Sequence, residues 1–267
     1  LFKNVSGEFF RYLRSFSFHG DLFAVPEGTV VFANEPILRV TAPAIEAQII
    51  ETYLLSMINY QTLIASKASR IVCAAKGREI IDFGSRRAHG PQAGILAARA
   101  CFIGGCTGTS NVLTAYELGI PSIGTIAHSW IMAYDDEFTS YEDFQRVFPD
   151  NTILLIDTYD TIKGAEMAVK IGKRLKGVRL DSGDILLLSK KVRKILDTAG
   201  LKQVRITVSG DLNEYKISEL LKRRAPIDSF GVGTEMVTSK DSPALNGVYK
   251  LVEQEIDGRV MPKMKLS

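Results

Sequence analysis

The sequence is poor in the residues that usually build metal sites and disulfides, with three histidines, three cysteines and one tryptophan among 267 residues. The cysteines are odd in number and contain no CxxC motif, which argues against a disulfide framework and against a zinc site. Cys73, Cys101 and Cys106 each lie in or beside an apolar segment, so we expect buried thiols. The scarcity of histidine draws attention to His128, which lies close to the single tryptophan in GTIAHSW.

Long apolar runs and a strong charge of either sign are also missing. No apolar stretch approaches the roughly 20 residues of a membrane span, and the N-terminus lacks a charged-then-apolar signal pattern. We therefore expect a cytoplasmic protein without a membrane partner. The balance of 33 Lys+Arg against 30 Asp+Glu is too even to indicate nucleic acid, although its small positive excess suits anionic small substrates.

The chain shows two different patterns of apolar and polar residues, which predict two domains. Residues 1–75 contain short β-like pieces (DLFAVPEG, TVVFANEP, ILRVTAP) and a long amphipathic helix introduced by Pro43, which together predict a small α+β sandwich. Residues 76–240 predict a catalytic α/β domain. Residues 241–267 read as a hairpin with Asp257-Gly258 at its turn, which is expected to rejoin the first sheet. The start at Leu1 and the strand-like end predict a fragment of a longer protein.

Short apolar runs alternate with amphipathic helical segments from about residue 76. The runs are EIIDFG, CFIGG, SIGTIA, TILLID, GVRLD, RITVSG and DSFGVG. They lack the alternation of half-exposed strands, which indicates parallel strands buried on both faces. Repeated β and α units of this kind predict an irregular β/α barrel, with a doubly wound sheet as the alternative.

The carboxyl ends of these strands carry nearly all the polar residues that could do chemistry, and in a β/α barrel those ends form one open face. In chain order they are Arg86 and Arg87; Thr107, Gly108, Thr109 and Ser110; His128 and Ser129; Asp157 and Asp160; Arg179 and Asp181; Ser209, Gly210 and Asp211; and Gly231, Gly233 and Thr234. The set combines bases, acids, cations and glycines. It predicts an enzyme that handles phosphates.

Several of these clusters suggest anion binding. The glycine-containing loops SGDLNE and FGVGT follow the last two strands, where barrel enzymes frequently hold a phosphate, although tight turns before a helix would look the same. Arg179 and Asp181 flank one residue of a strand and therefore share a face. Arg86 or Arg87 would suit an anionic group, the alternative being a solvated surface pair.

His128 is the candidate base or nucleophile of the predicted site. Asp157 ends the following strand, where its carboxylate is predicted to accept a proton from one ring nitrogen and leave the other free to react. The alternative is a packed histidine without a catalytic role.

The segments GSRRAHGP, GTIAHS and RLDSGD, in this order, resemble the nicotinate phosphoribosyltransferase family, and the similarity covers essentially the whole chain. The resemblance implies the type II phosphoribosyltransferase fold, an irregular β/α barrel with an open sandwich domain built from both chain ends. It implies formation of nicotinate mononucleotide and pyrophosphate from nicotinate and phosphoribosyl pyrophosphate in NAD biosynthesis. It also implies Mg²⁺ on the diphosphate, ATP as co-substrate, and a homodimer or higher homo-oligomer.

Roles for individual residues follow from the same resemblance. His128 resembles a phosphate acceptor, Asp157 the acid that orients it, and Phe83 the aromatic that stacks on the pyridine ring. The remaining expected contacts are substrate binding by Arg86, Thr109, Ser110, Ser129 and Arg179, stabilisation of the reacting ribose by Asp181, and phosphate binding by Ser209, Gly210, Gly231, Gly233 and Thr234.

Several alternatives stay open at the level of the sequence. Nicotinamide-using relatives place an acid at about Ser110, so the serine favours nicotinate, and quinolinate-using relatives lack the histidine motif. Family members usually carry an earlier segment whose Asp and Tyr reach a neighbouring subunit, and that segment is missing before Leu1. A chain without it would be a phosphate-binding barrel without turnover. An aldolase-like barrel would need a Lys or Glu at a strand end, which the clusters above do not supply.

Overall fold

The structure is a computed structural model that describes residues 4–265. The helices are α1 (Gly7–Arg14), α2 (Ala44–Ala74), α3 (Pro91–Ile103), α4 (Val112–Leu118), α5 (His128–Met132), α6 (Glu137–Val147), α7 (Thr161–Val169), α8 (Ile185–Thr198), α9 (Glu214–Lys222) and α10 (Thr234–Val237). The strands are β1 (Asp21–Ala24), β2 (Leu38–Thr41), β3 (Glu79–Asp82), β4 (Gly108–Thr109), β5 (Ile153–Leu155), β6 (Gly177–Leu180), β7 (Arg205–Val208), β8 (Ser229–Val232), β9 (Glu253–Ile256) and β10 (Arg259–Pro262). Short 3-10 helices span Ser85–Arg87, Pro149–Asn151 and Gly172–Arg174.

The chain divides into two compact units. The terminal unit contains the described residues up to Asn59 and those from Asn246 onward, and the barrel unit is Tyr60–Leu245. The sequence placed the corresponding boundaries at 75/76 and 240/241. Both chain ends thus contribute to one unit, and every candidate site residue named above lies in the other.

The terminal unit contains two small antiparallel sheets. Strands β1 and β2 pair with Asp21 opposite Thr41, and β9 pairs with β10 across a turn in which Asp257 (φ 52°) and Gly258 (φ 72°) both have positive φ. This is the backbone of a type I′ hairpin, as Asp-Gly predicts. The expectation that the hairpin rejoins the first sheet is wrong within residues 4–265, because β9 and β10 pair only with each other.

The remaining predictions for the terminal unit were partly wrong. TVVFANEP is not a strand, because local turns take its amides: Thr29 N–H donates to Pro26 O, and Phe32 N–H donates to the Glu35 carboxylate. Pro36 has no N–H to give to a ladder. Helix α1 was not predicted at all. Ser6 caps it through a hydrogen bond from Phe9 N–H.

The barrel unit is built on one curled parallel sheet with the strand order β4-β3-β8-β7-β6-β5. The unit's first strand, β3, pairs with its last, β8, with Ile80 opposite Phe230. That pairing makes the order cyclic, as in a barrel, whereas a doubly wound sheet keeps its last strand at an edge. Ser122 extends the sheet past β4 through an isolated parallel bridge to Thr109. The irregular barrel prediction is confirmed.

Burial on both faces explains why these strands read as continuous apolar runs. All four residues of β8 are buried, as are the last three of β3 and of β7. The fully buried side chains of the sheet include Leu154, Leu155, Val178, Leu180, Ile206, Val208, Phe230 and Val232. Each contributes about 1.5–3 kcal/mol through removal from water. This core fixes the strand ends that carry the polar residues.

Two predicted strands shift when the chain folds. Cys101–Ile103 end α3, and the strand lies later, at Gly108–Thr109. Gly104 is the C-cap of that helix, and the site has no room for a side chain because an added Cβ would lie 2.6 Å from the Ala65 carbonyl oxygen. SIGTIA contributes only the bridge at Ser122.

The cysteines are free thiols, and one of them corrects a prediction. Cys101 and Cys106 are buried as expected, but Cys73 is exposed near the end of α2. Cys73 is exposed because its side chain points outward from α2, which the apolar residues around it in the sequence did not indicate. Burial raises the pKa of the Cys101 thiol well above its ordinary value, which makes it inert. Within residues 4–265, no helix has the length and apolarity needed to cross a membrane.

A buried lysine ties α2 to the segments that follow β7 and β8. The Lys67 side chain is 1% exposed, and its Nζ lies 2.8 Å from Asp241 Oδ1 and 3.0 Å from Glu214 Oε1. Glu235 Oε2 is 4.0 Å away. Burial lowers the pKa of Lys67, but hydrogen bonds to Asp241 and Glu214 outweigh that effect and raise it. The ammonium therefore stays charged and compensates the carboxylates around it.

Candidate active site

The carboxyl ends of the barrel strands bring most of the predicted polar residues into one cluster. Its members are Phe83 after β3, His128 at the start of α5, Asp157 and Thr158 after β5, Arg179 and Asp181 in and after β6, and Ser209 after β7. Parallel pairing places these strand ends side by side, because all of the strands run in the same direction.

Arg179 is the most firmly held cation of the cluster. Its Nε donates to Ser209 Oγ at 2.9 Å, and its Nη2 donates to Asp181 Oδ1 at 3.0 Å. Its Nη1 donates to Thr125 Oγ1 at 2.5 Å. The guanidinium carbon lies 5.5 Å from the centroid of the Phe83 ring. These contacts fix the plane of the guanidinium at the rim, where it can present positive charge to an anionic group.

Asp181 lies between that cation and the imidazole. Its Oδ1 accepts hydrogen bonds from Arg179 and from Ser209 Oγ, and its Oδ2 is 3.8 Å from His128 Nε2. Burial raises the pKa of Asp181, but the Ser209 hydrogen bond and the charge of Arg179 outweigh that effect and hold the pKa below its ordinary value. The group is an ionised carboxylate, which stabilises positive charge that develops nearby.

His128 contacts the cluster through both ring nitrogens. Its Nδ1 lies 3.1 Å from Thr158 Oγ1, a hydrogen-bonding distance, whereas the 3.8 Å between Nε2 and Asp181 Oδ2 is longer than a hydrogen bond. The side chain is 38% exposed, so an incoming ligand can reach the imidazole. The imidazole thus has the access that a base or nucleophile needs.

The predicted pair of Asp157 with His128 is not formed. Asp157 Oδ2 accepts from the backbone N–H of Asp181 at 2.9 Å and from Ser182 Oγ at 2.7 Å. Its other oxygen, Oδ1, is buried without a hydrogen-bond partner in the described part of the chain. The order of strands showed that the two residues share a rim, but the direction of each side chain depends on the backbone where the strand ends. Thr158, the next residue, is the one that reaches the imidazole.

Asp82 is a second buried carboxylate that sequence reasoning missed. It is 1% exposed, and it accepts from Gly84 N–H at 2.8 Å and from Thr109 Oγ1 at 2.7 Å. Burial raises its pKa above the ordinary value. Its hydrogen bonds fix the backbone next to Phe83. An acid at the end of the apolar run EIID was the feature of the sequence that could have identified it. Thr109 is fully buried in this contact and does not face the rim.

The glycines of the predicted phosphate loops differ in their surroundings. Gly231 lies within β8, where an added Cβ would be 2.3 Å from Phe83 Cδ2, so its lack of a side chain makes room for that ring. Gly210 has φ 94° in the loop between β7 and α9. Gly233 and Thr234 begin α10, whose first N–H groups have no intrahelical acceptor. Gly210, Gly233 and Thr234 therefore remain the candidates for backbone contacts to phosphate.

Gly231→Ala is expected to lower the free energy of unfolding by about 1–3 kcal/mol, because the added methyl overlaps the Phe83 ring inside a packed strand. Urea unfolding measures the change. Gly94→Ala is the matched control, since its added Cβ would have ordinary contacts of 3.7 Å or more within α3 and alanine favours a helix. Equal stability of the two variants would contradict the close packing of Phe83 on β8.

Besides Thr109, three further predicted substrate contacts lie outside the hydrogen-bonded cluster. Arg86 is exposed in the 3-10 helix Ser85–Arg87 and forms no ion pair within residues 4–265. Ser129 is exposed in the first turn of α5. Ser110 is half-buried, and its N–H donates to Asp82 O at 2.8 Å. Thr158 is a member of the cluster that the sequence did not indicate, and Thr125 and Ser182 are hydrogen-bond partners of its members Arg179 and Asp157.

Comparison with known protein families shows which family the chain belongs to. Residues 78–265 match the sequence model of the Nicotinate phosphoribosyltransferase (NAPRTase) family, and residues 2–59 match the N-terminal domain of the same family. The chain belongs to the nicotinate phosphoribosyltransferase family. The resemblance inferred from the three motifs is thereby confirmed, and His128, Arg179 and Asp181 all lie within the matched region.

Individual members of the family are similar along most of this chain. It is 50% identical to nicotinate phosphoribosyltransferase pncB2 of Mycobacterium tuberculosis over 260 residues, which is 95% of this chain and 56% of the relative. It is 46% identical to nicotinate phosphoribosyltransferase of Bacillus subtilis, covering 92% of this chain and 51% of that one. The chain thus spans about half the length of these relatives.

Solved structures show the same fold. The human nicotinic acid phosphoribosyltransferase superposes with a TM-score of 0.83 at 27% identity, covering 100% of this chain and 63% of that one. The nicotinate-nucleotide pyrophosphorylase of Pyrococcus furiosus superposes with a TM-score of 0.77 at 36% identity, covering 83% and 58% of the two chains. The expected α/β architecture, with a barrel sheet and a smaller unit from the chain ends, is confirmed.

Proposed function

We propose that this chain carries the barrel of a nicotinate phosphoribosyltransferase, which forms nicotinate mononucleotide and pyrophosphate from nicotinate and phosphoribosyl pyrophosphate in NAD biosynthesis. The observation that supports it most is the contact of Arg179, Asp181 and His128 at one rim, in a chain whose named relatives are nicotinate phosphoribosyltransferases.

The ribosyl transfer places particular demands on the site. The bond from ribose C1 to the pyrophosphate oxygen breaks, a bond to the pyridine nitrogen forms, and C1 carries positive charge in between. The ionised Asp181 stabilises that charge, and the fixed Arg179 guanidinium offers positive charge to the diphosphate. The Phe83 ring, beside Arg179, presents an aromatic surface for the pyridine.

The carboxylates at the rim fit a magnesium ion that is shared with the substrate. Among the described residues, Asp157 Oδ1 has no hydrogen-bond partner, and Asp181 Oδ2 has none closer than His128. Within residues 4–265, no cluster of three or more His, Cys, Asp or Glu residues could hold a metal alone. Mg²⁺ is commonly bound by one or two carboxylates together with substrate phosphates. When bound, it neutralises negative charge on the departing diphosphate.

ATP is the proposed co-substrate that acts through His128. Nε2 of this partly exposed side chain attacks the terminal phosphorus of ATP, the nitrogen–phosphorus bond forms, and the bond to the bridging oxygen breaks to release ADP. Phosphorylation would add negative charge beside Asp181 and Arg179, and so couple ATP cleavage to events at the diphosphate site. A homodimer or higher homo-oligomer is the proposed assembly, as implied by the resemblance.

Mass detection of mononucleotide tests the proposal. The full-length protein is incubated with phosphoribosyl pyrophosphate, Mg²⁺ and either nicotinate, nicotinamide or quinolinate, with and without ATP. We expect product from nicotinate, an increase with ATP, and loss of that increase in His128→Ala. His19→Gln, in the terminal unit, is the histidine control, since glutamine can still donate to Glu46. Product from nicotinamide alone would assign the site to the other base, and no product from any base would leave a phosphate-binding barrel.

A further inference from the structure

The side chain of Asn111 joins two segments of the barrel rim. Its Oδ1 accepts from Thr114 N–H at 3.0 Å and so caps α4. Its Nδ2 lies 3.2 Å from Ser85 Oγ. A backbone N–H can only donate, so Oδ1 must face Thr114, and the NH₂ group of the same amide donates to the Ser85 oxygen. Asn111 therefore links the first turn of α4 to the 3-10 helix Ser85–Arg87.

We propose that Asn111 is a positioning residue for Arg86: its hydrogen bond to Ser85 holds the 3-10 helix so that the Arg86 guanidinium meets the carboxylate of nicotinate. The hydrogen bond itself is a feature of the fold. Its effect on nicotinate rests on the function proposed above, in which Arg86 contacts that substrate.

Arg86 depends on its backbone for its position. Its side chain is exposed and forms no ion pair within residues 4–265. The 3-10 helix that carries it has three residues, and Gly84 O accepts from Arg87 N–H at 2.8 Å and from Ala88 N–H at 3.2 Å. Hydrogen bonds of so short a helix hold it only weakly. A guanidinium makes two parallel hydrogen bonds to a carboxylate only when the two planes are aligned, so a contact that holds this helix favours binding.

The other end of the bridge is held by buried groups. Asn111 N–H donates to Thr109 Oγ1 at 3.0 Å, and that hydroxyl donates to Asp82 Oδ2 at 2.7 Å. Thr109 is fully buried and Asp82 is 1% exposed. Asp82 also accepts from Gly84 N–H, directly before the 3-10 helix. The end of β3, the loop after β4 and the 3-10 helix are thus joined in one ring of hydrogen bonds.

Loss of the bridge is expected to affect one substrate and not the other. Ser85 and Asn111 lie after β3 and β4, whereas the proposed contacts to the diphosphate and the 5′-phosphate lie in or after β6, β7 and β8. Within residues 4–265, the side chains of Ser85 and Asn111 form no hydrogen bond to those later segments. The KM for nicotinate should therefore rise while kcat and the KM for phosphoribosyl pyrophosphate stay nearly constant.

The bridge can be removed from either end. Ser85→Ala removes the acceptor, and Asn111→Ser keeps a good cap for α4 but is too short to reach Ser85. In the full-length protein each is expected to raise the KM for nicotinate about three- to tenfold, the effect of one hydrogen bond. The double variant should bind nicotinate no more weakly than either single variant, because both remove the same bond. Ser85→Thr keeps the hydroxyl and should keep the wild-type KM.

Hydrogen exchange measures the hold on the 3-10 helix independently of turnover. The amide of Arg87, which donates to Gly84 O, should exchange faster in Ser85→Ala and in Asn111→Ser than in the wild type or in Ser85→Thr. Equal exchange in all four proteins would show that the bridge does not hold the helix, and would overturn the inference.

Three kinetic results would also overturn it: an unchanged KM for nicotinate in both single variants, losses that add in the double variant, or an equal rise in the KM of both substrates. Any of these in a wild-type background that makes nicotinate mononucleotide would leave the proposed function standing. A wild-type protein that makes no mononucleotide would refute the proposed function and the role of Asn111 in nicotinate binding together, while hydrogen exchange would still decide whether the bridge holds the helix.

Discussion

Asp181→Asn is expected to lower kcat/KM for mononucleotide formation by about 10²–10³-fold, the size of effect that a lost electrostatic contact to a transition state has. Asparagine can still accept from Arg179 and Ser209 at the place of Oδ1, so the geometry of the cluster is largely kept. The negative charge is lost, although the proposed reaction needs it beside the ribose as positive charge develops. Steady-state kinetics on the full-length protein measure the change.

Asp184→Asn is the matched control for this prediction. Asp184 lies in the loop after β6, as Asp181 does, but it is exposed and caps α8 by accepting from Leu187 N–H at 3.0 Å. Asparagine caps a helix as well as aspartate does, so activity should be unchanged. A similar fall in both variants would assign the effect to the loop, and wild-type activity in Asp181→Asn would remove the carboxylate from the mechanism.

Lys67→Ala is expected to lower the free energy of unfolding by about 3–5 kcal/mol. The substitution removes the buried ammonium beside Glu214 and Asp241. The exposed Arg70, 3.6 Å from Glu214 Oε1 and 2.9 Å from Asp241 Oδ2, compensates them only in part, and a buried carboxylate that loses its partner is costly. Glu214 begins α9, which follows the loop of Gly210, so this loop should also open more readily. Urea unfolding gives the free energy, and hydrogen exchange of the α9 amides shows where the protein opens.

Lys240→Ala separates burial from charge. Its Nζ lies 3.0 Å from Glu235 Oε1, one of the acids around Lys67, but its side chain is 65% exposed. Exposed ion pairs contribute about 0–1 kcal/mol, so this variant should remain close to the wild type. Equal losses in the two variants would show that the lysine network adds no more than ordinary surface pairs do.

The apolar runs and their polar ends were enough to predict most of the barrel unit. EIIDFG, TILLID, GVRLD, RITVSG and DSFGVG each contain a strand of the parallel sheet, because strands buried on both faces must be almost entirely apolar. CFIGG misled because an apolar run of that length fits the end of a buried helix equally well. The positions of Arg179 and Asp181 on one strand face were also visible, since side chains repeat with period two.

The roles of the glycines needed the coordinates. Gly231 looked like part of a phosphate loop, but it lies within β8 and makes room for the Phe83 ring. Asp82 and Lys67 were missed because their partners, Thr109, Glu214 and Asp241, are mostly distant in the sequence. The role of a polar residue inside an apolar run cannot be inferred until the segment that contacts it is known.

The sequence by itself determined the family, most of the strand ends and the residue types at the rim, because these depend on local pattern and on motif order. Only the tertiary structure decided which acid or hydroxyl contacts His128. Asp157 and Thr158 are adjacent and equally close to the strand end, and the backbone there directs Asp157 to the loop of Asp181 and Thr158 to the imidazole. Which of the two side chains contacts His128 depends on how three separate segments lie in space. The local sequence around Asp157 and Thr158 does not contain that information.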